Sequence, residues 1–274
     1  MTSDLLQIAI DAALMAGEKV MEIYRNGDFS QYQKDDLSPV TSADIAANQV
    51  IMEQLQQLTP NIPVISEESE LQTLSQRGDW QRYWLLDPID GTGEFIAGSG
   101  DFAVNIALVV DGWPYLGVIH APSHQNTYFA EKGYGCFKRD ASGVENQIRV
   151  ADYDGERPLN MAVSRRQALN NVTQYLFANV SFVNIPFGSC SLKSCLIAEG
   201  IADFYIRTGP TGEWDTGASQ IILEEAGGTI LDSEFNPLSY NKRESLMNPD
   251  FIAMGNQQIP WQDIVKPYRC QRDY

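Results

Sequence analysis

The chain has 274 residues, 43% of them hydrophobic, and carries 36 Asp and Glu against 19 Lys and Arg, a formal charge of −17. That balance repels nucleic acid and anionic membranes, so nucleic acid is not expected as a partner and any phosphate ligand must be met by local cations. A chain this long can build a core without disulfides, and Cys136, Cys190, Cys195 and Cys270 form no zinc-binding spacing, so reduced thiols are expected.

At the N-terminus, Met1 to Ile10 lacks the basic start and small-residue cleavage pattern of a secretory signal, and no run of about 18 apolar residues occurs anywhere. A soluble cytoplasmic protein is expected, with peripheral association at the inner membrane left open. Leu5, Ile8, Ala12, Met15, Val20 and Ile23 fall close to helical period and stop at Asn26-Gly27, predicting a helix over 3–25. After a polar loop, Lys34 to Pro39, a second helix is predicted from Ser42 to Leu58, with Thr41 as its N-cap and Pro60 beyond its end.

Short strand-like runs follow at Val64-Ile65, Tyr83 to Leu86, Val104 to Val110 and Tyr115 to His120, with Asp111-Gly112 as a hairpin turn. Thr127 to Ala130 and Gly135 to Lys138, around Lys132-Gly133, extend the meander, so a largely antiparallel sheet is expected over 1–149. Beyond the polar stretch Arg139 to Glu145 the pattern alternates. Strands are predicted at Met161 to Val163, Phe182 to Ile185, Asp203 to Ile206 and Thr229 to Leu231, and helices at Gln167 to Phe177, Ser191 to Ala198 and Thr216 to Ala226. This α/β half, 150–274, joins the α+β half at a soft boundary near residue 150.

The residue inventory narrows the chemistry. His120 and His124, both in VIHAPSHQ, stand in no Arg-His-Gly sequence, and no cysteine has an arginine six residues on. Phosphohistidine and cysteine-phosphatase mechanisms therefore lack their parts, which leaves carboxylates and metal. In Trp84-Leu85-Leu86-Asp87-Pro88-Ile89-Asp90-Gly91-Thr92 a strand ends and delivers two carboxylates three residues apart. Pro88 stiffens the turn, Gly91 permits close backbone approach, and a helix opening near Thr92 would turn free N–H groups toward a phosphate. The same residue types also favour a plain turn. Glu67 and Glu68 after a short strand, and Asp215 at a late helix start, supply further acids, as magnesium needs hard oxygen ligands converging from different segments.

Four ordered motifs, SPVTSAD (38–44), SEES (66–69), LDPIDGT (86–92) and EWDTGAS (213–219), together with Met247-Asn248-Pro249-Asp250, resemble the lithium-sensitive, magnesium-dependent phosphatase superfamily typified by inositol monophosphatase. The flanking segments SPVTSADIAANQVIMEQL, DWQRYWLLDP and GPTGEWDT are similar to its 3'(2'),5'-bisphosphate nucleotidases. The resemblance implies an α-β-α-β-α layered sandwich. It implies that Glu67, Asp87 and the Ile89 carbonyl hold one magnesium ion, that Asp87, Asp90 and Asp215 hold another, and that a third, weaker ion sits at Glu67. Glu68 would stand behind these ligands or at the surface, and Thr92 and Asp44 would activate water without a covalent phosphoenzyme. Asp44 has a second reading as the acid of a Thr41 capping box, and Asp215 as a helix-start acid beside a packing residue, Trp214.

The resemblance further implies a substrate site of Glu67, Ile89, Asp90, Gly91, Thr92, Ser189, Cys190 and Asp215, with Lys193 and Arg207 on the non-reacting phosphate. Inositol monophosphatases place an acid seven positions before the last metal-binding aspartate, whereas this chain has Thr208, which counts against inositol phosphate. Cys190 stands where the nucleotidases often have serine. Gly93 replaces the lysine of Asp-Gly-Thr-Lys-Glu-Phe, and Ser164-Arg165-Arg166-Gln167 stands for Ser-Arg-Ser-His. The expected activity is hydrolysis of adenosine 3',5'-bisphosphate to AMP and phosphate by a lithium-sensitive monomer or homodimer that clears a by-product of sulfate assimilation. The rivals are an inositol or other sugar phosphatase and a non-catalytic phosphate-binding protein.

Overall fold

The computed structural model describes residues 3–34 and 39–269; Cys270 and residues 35–38 of the polar loop lie outside them. Helix α1 (Asp4–Asn26) opens where the Ser3 hydroxyl accepts the Leu6 amide and ends at Gly27, whose φ of 67° is the left-handed C-terminal conformation. A two-stranded antiparallel ribbon, β1 (Gln31–Gln33) and β2 (Pro39–Thr41), leads into α2 (Ser42–Leu58). Thr41 and Asp44 form a reciprocal capping box at the start of α2.

β3 (Val64–Ser66) and the short α3 (Leu74–Arg77) precede β4 (Arg82–Asp90) and α4 (Thr92–Ile96). β5 (Ala103–Val110), β6 (Trp113–Ala121), β7 (Asn126–Glu131), β8 (Gly135–Arg139) and β9 (Glu145–Ile148) complete a seven-stranded sheet in sequence order. Only β3 and β4 pair in parallel; the remaining pairs are antiparallel.

The second part holds β10 (Leu159–Ser164), α5 (Asn170–Thr173), β11 (Phe182–Phe187), α6 (Cys190–Ala198), β12 (Phe204–Arg207), α7 (Glu213–Glu225), β13 (Thr229–Asp232) and β14 (Phe251–Met254). Its five-stranded sheet runs β11-β10-β12-β14-β13, with β10 parallel to both neighbours and β14 antiparallel to both of its own.

Burial follows the two-residue period of the strands. Trp84, Leu86, Ile106, Leu108 and Val118 face α1 and α2 in one core, whereas Tyr83, Leu85, Ala107, Val109 and Ile119 share a second core with α6, α7 and the five-stranded sheet. Because helices cover both faces, β4 and β5 read as nearly unbroken apolar runs. The far side of the second sheet packs Val172, Leu176, Trp261 and Val265. The layers are thus α-β-α-β-α, as the family resemblance implies.

Two predicted helices differ. The expected Gln167 to Phe177 helix is a single turn, α5: Leu169 gives it no side-chain cap, and Leu176 pairs with Val265 instead of continuing. α7 begins at Glu213, ahead of the expected Thr216, because Asp215 accepts the Gly212 amide at 2.6 Å and caps the added turn. The ribbon, α3, β9 and β14 have no counterpart in the sequence reading; β9 is an exposed polar edge strand. Among the described residues, no helix is long and apolar enough to cross a membrane.

Candidate active site

In a regular strand, residues three apart point to opposite faces, so Asp87 and Asp90 would diverge. The pairing of β4 with β5 shifts between them, from Asp87 opposite Asn105 to Asp90 opposite Ala103, so that Pro88 and Ile89 face one residue of β5. This bulge cancels the alternation and brings both carboxylates to one side. Gly91 follows with φ of 95°, and a Cβ there would come within 3.1 Å of the Asp101 carbonyl oxygen. The chain can then turn sharply into α4.

α7 delivers Asp215 from the second core. Asp87, Asp90 and Asp215 each place a carboxylate oxygen within 4.8 Å of the others. Asp87 is 1% exposed; its Oδ1 accepts the Ile89 amide at 3.1 Å, and its buried Oδ2 has no hydrogen-bond partner among the described residues. Burial, with Glu67, Asp215 and Asp90 as neighbours, pushes the Asp87 carboxyl well above its ordinary value. Asp215 is raised in the same way, by burial and then by Asp90 and Glu67, with Arg207 opposing. A buried carboxylate oxygen without a donor, among anionic oxygens from separate segments, fits a hard divalent cation.

Glu67 lines the same cleft, but its Oε1 is held by Lys34 at 2.8 Å, and Lys34 also reaches Glu68 at 2.6 Å. Glu67 therefore stands beside the group of three rather than within it. The Ile89 carbonyl accepts the Thr92 hydroxyl at 3.2 Å. That hydroxyl also lies 3.0 Å from Asp44 Oδ1, while Asp44 Oδ2 accepts the Thr41 amide and hydroxyl at 2.8 and 2.6 Å. Asp44 thus caps α2 with one oxygen and meets Thr92 with the other. Burial raises its carboxyl above the ordinary range.

The first turn of α6 is directed at Asp90. The Ser189 hydroxyl, the Cys190 amide, and the Ser191 amide and hydroxyl all donate to its carboxylate. Ser189 and Cys190, expected as substrate contacts, act here on a carboxylate of the cluster. Burial pushes the Cys190 thiol up to about 12. Lys193 is 1% exposed and donates to the Gly188 and Ser189 carbonyls above the Tyr205 ring. Burial lowers its ammonium to about 8. Lys193 thus secures the turn that holds Asp90. Arg207 lines the cleft and gives Nη2 to the Pro210 carbonyl at 3.0 Å.

The cleft encloses about 460 Å³ and takes in Glu67, Asp87, Ile89, Asp90, Gly91, Thr92, Ser189, Cys190, Lys193, Arg207 and Asp215. Sequence reasoning missed Asp101, which accepts the Gly188 amide at 3.0 Å and His124 Nε2 at 3.1 Å and pairs with Arg165. It also gave no role to Glu94, which pairs with Arg166 at 2.7 Å. The DGTGEF departure at Gly93 is the signal that could have pointed there.

A layered α-β-α-β-α sandwich with clustered carboxylates at a bulged strand end defines a class, and the chain belongs to the inositol monophosphatase family, whose model matches residues 1–260. It is 43% identical over 264 residues to the 3'(2'),5'-bisphosphate nucleotidase CysQ of Aggregatibacter actinomycetemcomitans, covering 96% of this chain and 97% of that one. The CysQ of Escherichia coli K12 is 44% identical over 237 residues, covering 86% and 94%. Among solved structures, CysQ from Bacteroides thetaiotaomicron superposes with a TM-score of 0.79 at 37% identity, covering 92% of this chain and 97% of that one. The extragenic suppressor protein suhB from Bartonella henselae gives 0.77 at 28% identity, covering 94% and 95%.

Proposed function

We propose that the protein is a magnesium-dependent phosphomonoesterase that converts adenosine 3',5'-bisphosphate to AMP and phosphate. The observation that carries this reading is the contact of Thr92 with Asp44 beside the Asp87, Asp90 and Asp215 cluster. A protein that only bound phosphate would have no use for such a pair. The substrate follows from the nucleotidase relatives that match most of the chain.

Asp87, Asp90 and Asp215 would hold magnesium, two or three ions in all, with Glu67 and the Ile89 carbonyl completing the ligand set. The bound cation supplies charge stabilisation of the phosphoryl oxygens and of the leaving 3'-oxygen. Thr92 Oγ1 orients the attacking water and relays its proton to Asp44 Oδ1 as the new oxygen–phosphorus bond forms and the bond to the 3'-oxygen breaks, and the 3'-oxygen leaves as the hydroxyl by taking a proton from solvent. The four donors on Asp90 hold that carboxylate in one orientation through the reaction. The reading carries with it lithium inhibition, a cytoplasmic location, and a free small molecule as partner, handled by a monomer or homodimer.

The test is a parallel assay of adenosine 3',5'-bisphosphate, inositol 1-phosphate and fructose 1,6-bisphosphate with added magnesium. Fastest turnover of the first is expected; much faster turnover of either sugar phosphate would replace the substrate assignment.

A further inference from the structure

Gly188 and Ser189 lead from β11 into α6, and all four of their backbone polar groups are engaged by two residues. Lys193 donates to both carbonyls. Asp101 takes both amides, the Gly188 N–H on its Oδ2 at 3.0 Å and the Ser189 N–H on its own main-chain carbonyl at 3.0 Å. Asp101 lies between α4 and β5, two residues ahead of Ala103, which faces Asp90 in the pairing of β4 with β5. The fit leaves no room for a side chain: a Cβ on Gly188 would stand 2.7 Å from the Asp101 carbonyl oxygen and 2.9 Å from Glu94 Cγ.

What this turn carries is the orientation of Asp90. Asp90 Oδ2 receives three donors, the Ser189 hydroxyl and the Ser191 amide and hydroxyl. Oδ1 receives only the Cys190 amide, at 3.2 Å, among the described residues. Oδ2 is therefore filled, and Oδ1 is the oxygen with lone pairs to spare for a cation. Which oxygen is offered depends on where α6 begins, and the Gly188-Ser189 turn sets that place. Asp101 does not itself line the cleft, and it is held firmly. It is 2% exposed, its Oδ1 meets His124 Nε2 at 3.1 Å, and its Oδ2 pairs with Arg165, whose guanidinium lies 5.6 Å above the Phe187 ring.

We propose that Asp101 is a positioning residue for the magnesium site: by holding the Gly188 and Ser189 amides it fixes the start of α6 and keeps Asp90 Oδ1 free for the cation. This deepens the activity proposed above and rests on its metal site. Groups that orient a metal ligand, without touching the metal, change affinity by about tenfold or more when they are removed.

The test measures magnesium affinity by calorimetry on the full chain without substrate, beside turnover of adenosine 3',5'-bisphosphate over a magnesium titration. Asp101→Ala is expected to weaken magnesium binding by about tenfold or more and to raise the magnesium needed for half-maximal rate by the same factor. Excess magnesium should restore most of the rate, with KM for the bisphosphate near wild type. Asp101→Asn keeps an oxygen for the Gly188 amide, and its Nδ2 can donate to His124 Nε2 when the imidazole carries its proton on Nδ1, so most of the affinity should return. Asp101→Ser, too short to reach the Gly188 amide, carries the alanine expectation if Asp101→Ala does not fold. Wild-type magnesium affinity in the alanine or serine variant, even with a lowered melting temperature, would overturn the proposal, as would an equal loss in Asp101→Asn. A wild type that binds magnesium but leaves the bisphosphate intact would overturn the substrate alone, with the variants' affinities still deciding this role. A wild type that binds no magnesium would overturn both.

Discussion

The Thr92 hydroxyl donates to Asp44 across 3.0 Å, joining the first turns of α4 and α2, which lie 48 residues apart. Asp44→Asn keeps a side chain that can accept from Thr41 but cannot take a proton at neutral pH. Turnover is expected to fall by about a hundredfold or more, with thermal stability only modestly changed. Thr92→Val should lose activity on a similar scale without touching the α2 cap. Steady-state rates alongside thermal melts check both, and a variant that unfolds without losing specific activity would reduce Asp44 to its capping role.

Asp87 Oδ2 is buried without a donor among the described residues and lies beside other carboxylates. Magnesium should therefore raise the melting temperature of the wild type, by the equivalent of about 2.7 kcal/mol at a hundredfold excess over Kd. Asp87→Asn removes a ligand and relieves repulsion, so it is expected to abolish magnesium-dependent turnover and the magnesium shift while staying folded in EDTA. An unchanged shift in Asp87→Asn would remove Asp87 from the ion site.

The burial of Lys193 separates two roles. Lys193→Met leaves the Gly188 and Ser189 carbonyls without their donor and loosens the turn that holds Asp90. A loss of about 1–3 kcal/mol in stability, with a drop in kcat, is expected. A raised KM with stability untouched would instead show that the ammonium meets substrate directly. Urea melts and kinetics on the same preparation decide between them.

His120 is 7% exposed, its Nδ1 lies 2.9 Å from the Thr127 hydroxyl, and burial lowers its pKa from 6.5 to about 4. The unfolded chain then binds the proton more readily, so the stability tied to neutral His120 is complete above about pH 6.5 and drains away as pH falls toward 4. The shift corresponds to on the order of 3 kcal/mol. His120→Asn should be destabilised at pH 7 and should lose less than the wild type between pH 7 and 5. Parallel slopes in urea melts at the two pH values would discard the assignment.

The same ring limits α1. A Cβ on Gly17 would lie 2.4 Å from His120 Cδ2 and 2.6 Å from Nε2. Gly17→Ala, despite its better helix propensity, is expected to cost about 1–3 kcal/mol through overpacking, with kcat unchanged because the site lies elsewhere. A melt at or above the wild-type temperature would show that the ring gives way freely.

What the sequence determined by itself is what short-range physics encodes. Helical period and end signals placed α1 and α2, Asp111-Gly112 placed a hairpin, and four acidic motifs in order carried the family and its carboxylate chemistry. Tertiary structure decided the rest. No local pattern shows the bulge that turns Asp87 and Asp90 to one side, since it arises from pairing with β5. The serines at the start of α6 close on Asp90 from about 100 residues away, Arg166 reaches Glu94 across 72, and Lys193, lining the cleft, sets its ammonium on the carbonyls of a buried turn. Each of these depends on which segments the two cores bring together, a choice fixed by packing over the whole chain and absent from the residues on either side.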